Sequence, residues 1–112
     1  MSQLTTHILD TAKGKPAEGV TIILYRQQEE NWQQLALGIT NADGRIPNLL
    51  QKYLVLEPGV YKMRFETKPY FEKQLIQTFY PFIEISFTIT GNEHYHVPLL
   101  LNPFGYTTYR GS

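Results

Sequence analysis

Two segments of the chain alternate between apolar and polar residues. Tyr61, Met63 and Phe65 alternate with charged residues within residues 60–66, and the same period of two returns over residues 82–90, where β-branched residues are enriched. Because successive side chains of a β-strand point to opposite faces of its sheet, this period predicts two strands that each bury one face. Weaker patterns bounded by Gly, Pro, Asn or Asp predict five more strands, at residues 3–10, 20–27, 33–40, 94–101 and 106–110.

One segment breaks the strand pattern. Residues 67–76 combine a candidate capping residue, Thr67, and an early proline, Pro69, with apolar residues at helical spacing, which predicts one short helix. Pro98 lies inside the 94–101 segment, and since proline has no N–H to donate, we expect a bulge or an unpaired edge there. Short strands that follow one another at about ten-residue spacing, with turn residues between them, predict an all-β sandwich.

Length and composition favour a single domain. The chain has 112 residues, 42% of them hydrophobic, which is enough for one core and predicts one domain over residues 1–112. A core of this size stabilises a monomer only marginally, so a packed partner subunit is plausible. The chain has no cysteine, which excludes disulfides, iron–sulfur clusters and a thiol nucleophile. Only His, Asp and Glu side chains could ligate a metal.

Charge and hydropathy narrow the range of partners. Ten Lys and Arg residues balance ten Asp and Glu residues without any basic run, so the electrostatic signature of a nucleic-acid-binding protein is missing. No stretch of about 18 apolar residues could cross a membrane, and the first residues show no basic start followed by an apolar run. We therefore expect no nucleic acid and no membrane as partners. We also expect a cytoplasmic protein, or a periplasmic one if a signal peptide has been removed.

Three histidines and one arginine are the candidate chemical groups. His94 and His96 are two residues apart, so in a strand they share one face and the apolar residues around them take the core face. The pair then faces solvent or a partner subunit, although two ordinary surface histidines fit equally well. His7 lies in a strand, where a lone histidine is usually structural. Arg45 follows the Asp43-Gly44 turn and could grip a planar or anionic ligand, whereas a solvated turn residue is the simpler interpretation.

The carboxyl end and the missing motifs limit the chemistry further. Residues 104–112 are aromatic and rich in hydroxyls, unlike a disordered tail, which predicts that this segment docks on the domain. The chain contains no Gly-rich phosphate loop, no nucleophile elbow and no helical zinc-protease motif. Catalysis would therefore rest on His and Arg. A neutral imidazole can take a proton from water near neutral pH, which suits hydrolysis of an electrophilic carbonyl.

Six stretches of the chain together carry a family resemblance. They are Leu4-Thr5-Thr6-His7 continuing to Thr11, residues 38–45 with Asp43-Gly44-Arg45, residues 61–70, Thr78-Phe79-Tyr80-Pro81, His94-Tyr95-His96-Val97-Pro98-Leu99-Leu100-Leu101, and the closing Tyr109-Arg110-Gly111-Ser112. In their order and content they resemble the transthyretin-like family, and within it the 5-hydroxyisourate hydrolases. The closing tetrapeptide is the feature that separates these hydrolases from transthyretin itself.

The resemblance implies a fold, an assembly and a reaction. The fold is a prealbumin-like sandwich of two four-stranded sheets with one short helix, and the assembly is a homotetramer with its active sites between dimers. The reaction is the hydrolysis of 5-hydroxyisourate to 2-oxo-4-hydroxy-4-carboxy-5-ureidoimidazoline in urate catabolism, a part of purine metabolism. The resemblance implies neither a metal nor a cofactor for this step.

The resemblance also implies the residues of the site. The catalytic groups would be His7, Arg45, His96 and Ser112, and the substrate contacts would come from Arg45, Tyr109, Arg110 and Gly111. His96, helped by His7 or Ser112, would activate water while Arg45 holds the substrate. Which histidine acts as the base stays open at this point.

Two other functions stay open as well. A transthyretin-like carrier of thyroid hormone or a similar ligand could use the same fold, although two histidines and an arginine would make its channel polar where a carrier needs an apolar one. A zinc hydrolase could use His7, His94 and His96 as three ligands around an open water position. Activity that survives chelation would exclude the zinc enzyme, and a hormone-binding assay would identify the carrier.

Overall fold

The computed structural model describes residues 2–112 as a sandwich of two four-stranded sheets, which confirms the expected fold class. The elements are β1 (Leu4–Asp10), β2 (Lys15–Pro16), β3 (Thr21–Gln28), β4 (Asn31–Ile39), β5 (Gly59–Glu66), α1 (Thr67–Glu72), β6 (Ile83–Ile89), β7 (Tyr95–Asn102) and β8 (Gly105–Thr108). The strands β2-β1-β7-β8, in this order, form one sheet, the front sheet, and β4-β3-β5-β6 form the other, the back sheet. No helix within residues 2–112 is long and apolar enough to cross a membrane.

The core lies between the inward faces of the two sheets. The alternating apolar residues of β5 and β6 point inward, as their period predicted, and the front sheet contributes one face of β1 and one of β7. Removing these side chains from water is the main force that holds the sheets together. The buried residues of the four strands include Leu4, Ile8, Tyr61, Met63, Phe65, Ile83, Ile85, Ile89, Tyr95, Val97, Leu99 and Leu101.

Two strands from opposite ends of the chain lie side by side in the middle of the front sheet. β1 and β7 run parallel, and their register places Thr5 beside His96 and His7 beside Pro98. Since Leu4 and the other inward residues of β1 are buried, the residues between them face outward. The outer surface of the front sheet therefore collects side chains that are about ninety residues apart in sequence.

The start of α1 differs from the sequence-based expectation. Glu66 occupies the capping position and makes no side-chain capping bond, so Thr67 is not the cap. Thr67 is instead the first helical residue and is buried, and its hydroxyl has no hydrogen-bond partner among residues 2–112. Packing against the core has overridden the local capping preference here.

The end of α1 comes four residues earlier than expected. Leu75 adopts a left-handed backbone conformation with φ of 58°, through which a helix cannot continue. The N–H of Ile76 donates to the carbonyl of Phe71 at 3.1 Å, and that of Leu75 donates to Glu72 at 3.0 Å. These two bonds form a Schellman motif, a helix ending that usually has glycine where Leu75 stands. The apolar spacing that continues to Ile76 reflects packing against the core, not further helix.

The remaining predicted strands are confirmed, with their ends shifted by one or two residues. β1 and β7 stay in register through Pro98, so the expected bulge is wrong. The ladder between β7 and β8 begins only at Leu99, which confirms the alternative of an unpaired edge at the proline. The carbonyl of Pro98 accepts a hydrogen bond from the Thr108 hydroxyl at 2.7 Å. β2 was not predicted, because a strand of two residues carries no readable period.

Candidate active site

Two histidines stand side by side on the outer surface of the front sheet. His96 lies in β7 and His94 directly precedes that strand, with their rings stacked 6.4 Å apart between centroids and inclined by 19°. Both are half-buried, whereas Tyr95 and Val97 point into the core. The predicted division of this segment into a histidine face and a core face is confirmed.

Thr5 joins the two imidazole rings. Its Oγ1 lies 2.9 Å from Nε2 of His94 and 2.8 Å from Nδ1 of His96. A hydroxyl can donate one hydrogen bond and accept others, so it can engage both rings at once. Thr5 was not predicted as a site residue, and the available signal was its position two residues before His7 on the same face of β1.

A tight turn positions Arg45 near His7. The Asn41 side chain accepts the backbone N–H of Arg45 at 3.1 Å, and the backbone N–H of Gly44 donates to the Asn41 carbonyl at 2.9 Å. Gly44 has φ of +72°, and a Cβ there would collide with the carbonyl oxygen of Ile8, so the turn requires glycine. The N–H of Ile8 donates to the carbonyl of Gly44 at 2.9 Å, which fastens the turn to β1 one residue after His7.

Burial and nearby positive charge lower the pKa values of His7 and His96. Burial is the main cause that lowers the pKa of His7, and Arg45 lowers it further, while the backbone and charge of Asp43 act in the opposite direction. Burial also lowers the pKa of His96, followed by the charges of Arg45, His94 and His7. A lowered pKa favours the neutral imidazole near pH 7, the form that accepts a proton. These groups therefore share one electrostatic environment.

The carboxyl-terminal segment lies across His96. The N–H of Gly111 donates to the carbonyl of His96 at 2.8 Å, forming an antiparallel bridge beyond the end of β8. A Cβ on Gly111 would come within 2.5 Å of Cδ2 of His96, so the chain can pass this close to the ring only because residue 111 is glycine. The segment docks as predicted, and Ser112 follows directly after this contact.

Tyr109 and Arg110 border a cavity next to the histidine pair. The Arg110 guanidinium lies 4.6 Å from the ring centroid of Tyr95 and 3.7 Å from the carboxylate of Glu93. Tyr109 and Arg110 line a cavity of about 300 Å³ that β6 and the start of β7 also border. His96 lines the same cavity, so it is the residue that connects this space to the histidine site.

The three histidines do not form a set of metal ligands. Within residues 2–112, no three His, Cys, Asp or Glu side chains are arranged to hold a metal ion. Nε2 of His94 and Nδ1 of His96 are instead hydrogen-bonded to Thr5. This geometry lends no support to the zinc hydrolase considered from the sequence.

The arrangement places a proton acceptor near a cation. A neutral imidazole can deprotonate water, and a guanidinium can stabilise an oxygen that becomes negative during attack on a carbonyl. His96 and Arg45 supply these two groups, and His7 adds a second imidazole with a lowered pKa. The outer surface of the front sheet is therefore equipped for the addition of water to a polarised carbonyl.

Comparison with known sequences gives consistent matches over nearly the full length. A model described as the HIUase/Transthyretin family matches residues 4–111. The 5-hydroxyisourate hydrolase of Mus musculus is 47% identical over 114 residues, covering 99% of this chain and 96% of that protein. The 5-hydroxyisourate hydrolase of Salmonella typhimurium is 48% identical over 110 residues, covering 97% of this chain and 80% of that protein.

Comparison with solved structures finds the same fold in a hydrolase and in a transthyretin bound to thyroxine. The 5-hydroxyisourate hydrolase of Klebsiella pneumoniae matches with a TM-score of 0.86 and 40% identity, and the match covers 99% of this chain and 100% of the hydrolase chain. Sea bream transthyretin in complex with thyroxine matches with a TM-score of 0.90 and 37% identity, covering 97% and 94% of the two chains. Fold similarity alone therefore does not separate the two activities.

Proposed function

The chain belongs to the HIUase/transthyretin family, and we propose that it hydrolyses 5-hydroxyisourate to 2-oxo-4-hydroxy-4-carboxy-5-ureidoimidazoline. One observation carries the proposal. Two half-buried histidines with lowered pKa values share an electrostatic environment with Arg45 on one surface of the front sheet. Named hydrolases that are 47–48% identical to the chain support the same reaction.

The polarity of the site favours an enzyme over a hormone carrier. A pocket for an aromatic hormone is lined mainly by apolar side chains, with few polar groups. Here the outer surface of the front sheet presents Thr5, His7, His94 and His96, with Arg45 beside them. These are hydrogen-bonding and proton-accepting groups, so the surface suits a polar, carbonyl-rich substrate better than an apolar ligand.

The mechanism begins with activation of water. Nδ1 of His96 is engaged by Thr5, which leaves Nε2 as the nitrogen that takes a proton from a water molecule. The resulting hydroxide forms a bond to the ring carbonyl carbon, and the carbonyl oxygen becomes negative. Arg45 stabilises this oxygen, and His7 or Ser112 orients the water. His96 then returns its proton to the departing ring nitrogen as the C–N bond breaks, so no proton is gained or lost overall.

The proposal includes a homotetramer with sites between dimers. The site is only half-buried in one chain, and a second subunit over the front sheet would exclude water from it. A group of exposed aromatic residues lies near the edge strand β8: Phe79 is 71% exposed and Phe104 is 66% exposed. The N–H of Phe79 donates to the Pro103 carbonyl at 2.9 Å, so the two rings sit on connected segments. Sedimentation equilibrium tests this assembly directly.

The decisive experiment follows the ultraviolet absorbance of 5-hydroxyisourate generated in the cuvette by urate oxidase. The protein should accelerate the decay in proportion to its concentration, and a chelator should leave the rate unchanged. The controls are the same mixture without the protein and with heat-denatured protein. Absence of acceleration by a folded oligomer, together with binding of a thyroid hormone, would replace the hydrolase by a carrier.

A further inference from the structure

The hydroxyl of Thr5 imposes an order on the two histidines that it joins. It has a single proton, so it can donate to only one of the two ring nitrogens that lie 2.9 and 2.8 Å away. The other nitrogen must then carry a proton and donate to the Thr5 oxygen. When the hydroxyl donates to one ring, the rings of His94 and His96 therefore hold complementary tautomers.

Only one of the two orders leaves His96 able to act as a base. If Thr5 donates to Nδ1 of His96, the neutral His96 ring carries its proton on Nε2, and that nitrogen has no lone pair to accept a proton from water. If Thr5 donates to Nε2 of His94, His96 carries its proton on Nδ1 and its Nε2 has a free lone pair. Burial and the charge of Arg45 lower the pKa of His96, which favours the neutral ring that a base requires.

We propose that Thr5 and His94 are positioning residues, which hold His96 in the tautomer whose Nε2 can accept a proton from water. In this arrangement the Thr5 hydroxyl donates to Nε2 of His94 and accepts from Nδ1 of His96. The proposal rests on the proposed function, since it assigns a purpose to the pair within the same hydrolytic site. It also selects His96, not His7, as the base.

Charged groups from several elements surround the two rings. After burial, the charges of Arg45 in the turn and of His7 in β1 are among the causes that lower the pKa of His96. Lys52 borders a surface cavity with His94. The Glu93 and Arg110 pair lies at the start of β7 and on the carboxyl-terminal segment. The variants of Thr5 and His94 leave these groups in place, so a change in kcat reports on the Thr5 bridge.

The test compares Thr5→Val with Thr5→Ser. Valine keeps the shape and β-branching of threonine without the hydroxyl, whereas serine keeps the hydroxyl. We expect Thr5→Val to lower kcat by about tenfold or more with KM changed by less than about threefold, and Thr5→Ser to retain most of the activity. His94→Phe should lower kcat to a similar extent, and adding it to Thr5→Val should have little further effect because both changes break one bridge. Equal activity of the valine and serine variants, or additive losses, would overturn the proposal.

A spectroscopic measurement keeps the proposal testable if a variant fails to fold. The ¹⁵N shifts of the ring nitrogens of His96 in the unaltered protein should show a proton on Nδ1 at neutral pH, and Thr5→Val should give a mixture of tautomers. A proton on Nε2 of His96 in the unaltered protein would refute the inferred order. This measurement needs no substrate, so its outcome is distinguishable from a failure of the proposed hydrolysis.

Discussion

Replacing Gly111 by alanine should reduce activity much more than stability. The new Cβ would lie 2.5 Å from Cδ2 and 3.1 Å from Cγ of His96, whereas ordinary carbon contacts are about 3.5–4.0 Å. The ring or the carboxyl-terminal segment must therefore move by about 1 Å, and a displacement of that size in a catalytic group can lower a rate by about a hundredfold. Loss of the 2.8 Å bond from Gly111 to His96 should cost about 1 kcal/mol.

The assay measures kcat and KM for 5-hydroxyisourate and the free energy of unfolding in urea. The matched control is Gly105→Ala, because a Cβ at Gly105 meets only Asn102 atoms at 3.7 and 3.8 Å, which is ordinary contact. We expect at least a tenfold loss of kcat for Gly111→Ala and almost none for the control. If both variants kept full activity, the segment would have no part in placing His96, and the reasoning from its close approach would be refuted.

Three further changes test other parts of the structure. His96→Ala should lower turnover by about a hundredfold while leaving the oligomer intact, and unchanged turnover would exclude it as the base. The pKa values of His7 and His96 are lowered in the folded state, so below pH ~6.5 the unfolded state binds more protons than the folded state. The free energy of unfolding and the rate of hydrolysis should therefore both fall as the pH drops through the lowered pKa values. Arg45→Gln removes a cause of that lowering, so the loss of activity on acidification should begin at a higher pH, which NMR titration of the rings can check. Tyr70→Phe removes the 2.6 Å bond to Asp10, a carboxylate only 1% exposed, and should destabilise the fold by about 1–3 kcal/mol without affecting kcat; an unchanged urea midpoint would contradict this.

Strand positions could be predicted from the sequence because burial imposes a period of two. The pattern at Tyr61, Met63 and Phe65 predicted β5, and all three side chains are fully buried. Helix boundaries were less predictable. The end of α1 depends on the left-handed conformation of Leu75, and leucine rarely adopts that conformation, so the sequence does not indicate it. Thr67 resembled a cap in the sequence but is held inside the first turn by packing.

The site could be predicted only in part, because its assembly depends on contacts between distant strands. The shared face of His94 and His96 follows from their spacing alone. The alignment of Thr5 with His96 follows from the parallel register of β1 and β7, which no local pattern reveals. The position of Arg45 depends in the same way on a long-range backbone bond, from Ile8 to Gly44, in addition to the local bonds of its turn.

The pairing of the first strand with the seventh also sets when the site can appear during protein synthesis. When β1 has just emerged from the ribosome, the nascent chain already contains Thr5 and His7, but β7, the strand that pairs with β1, has not yet been synthesised. The bridging hydrogen bonds span 89 and 91 positions, and chain synthesis at about 5–20 residues per second separates their two halves by several seconds. Chains that terminate before β7 would therefore present the amino-terminal half of the site without the histidines that complete it, and active protein would arise only from chains that include β7.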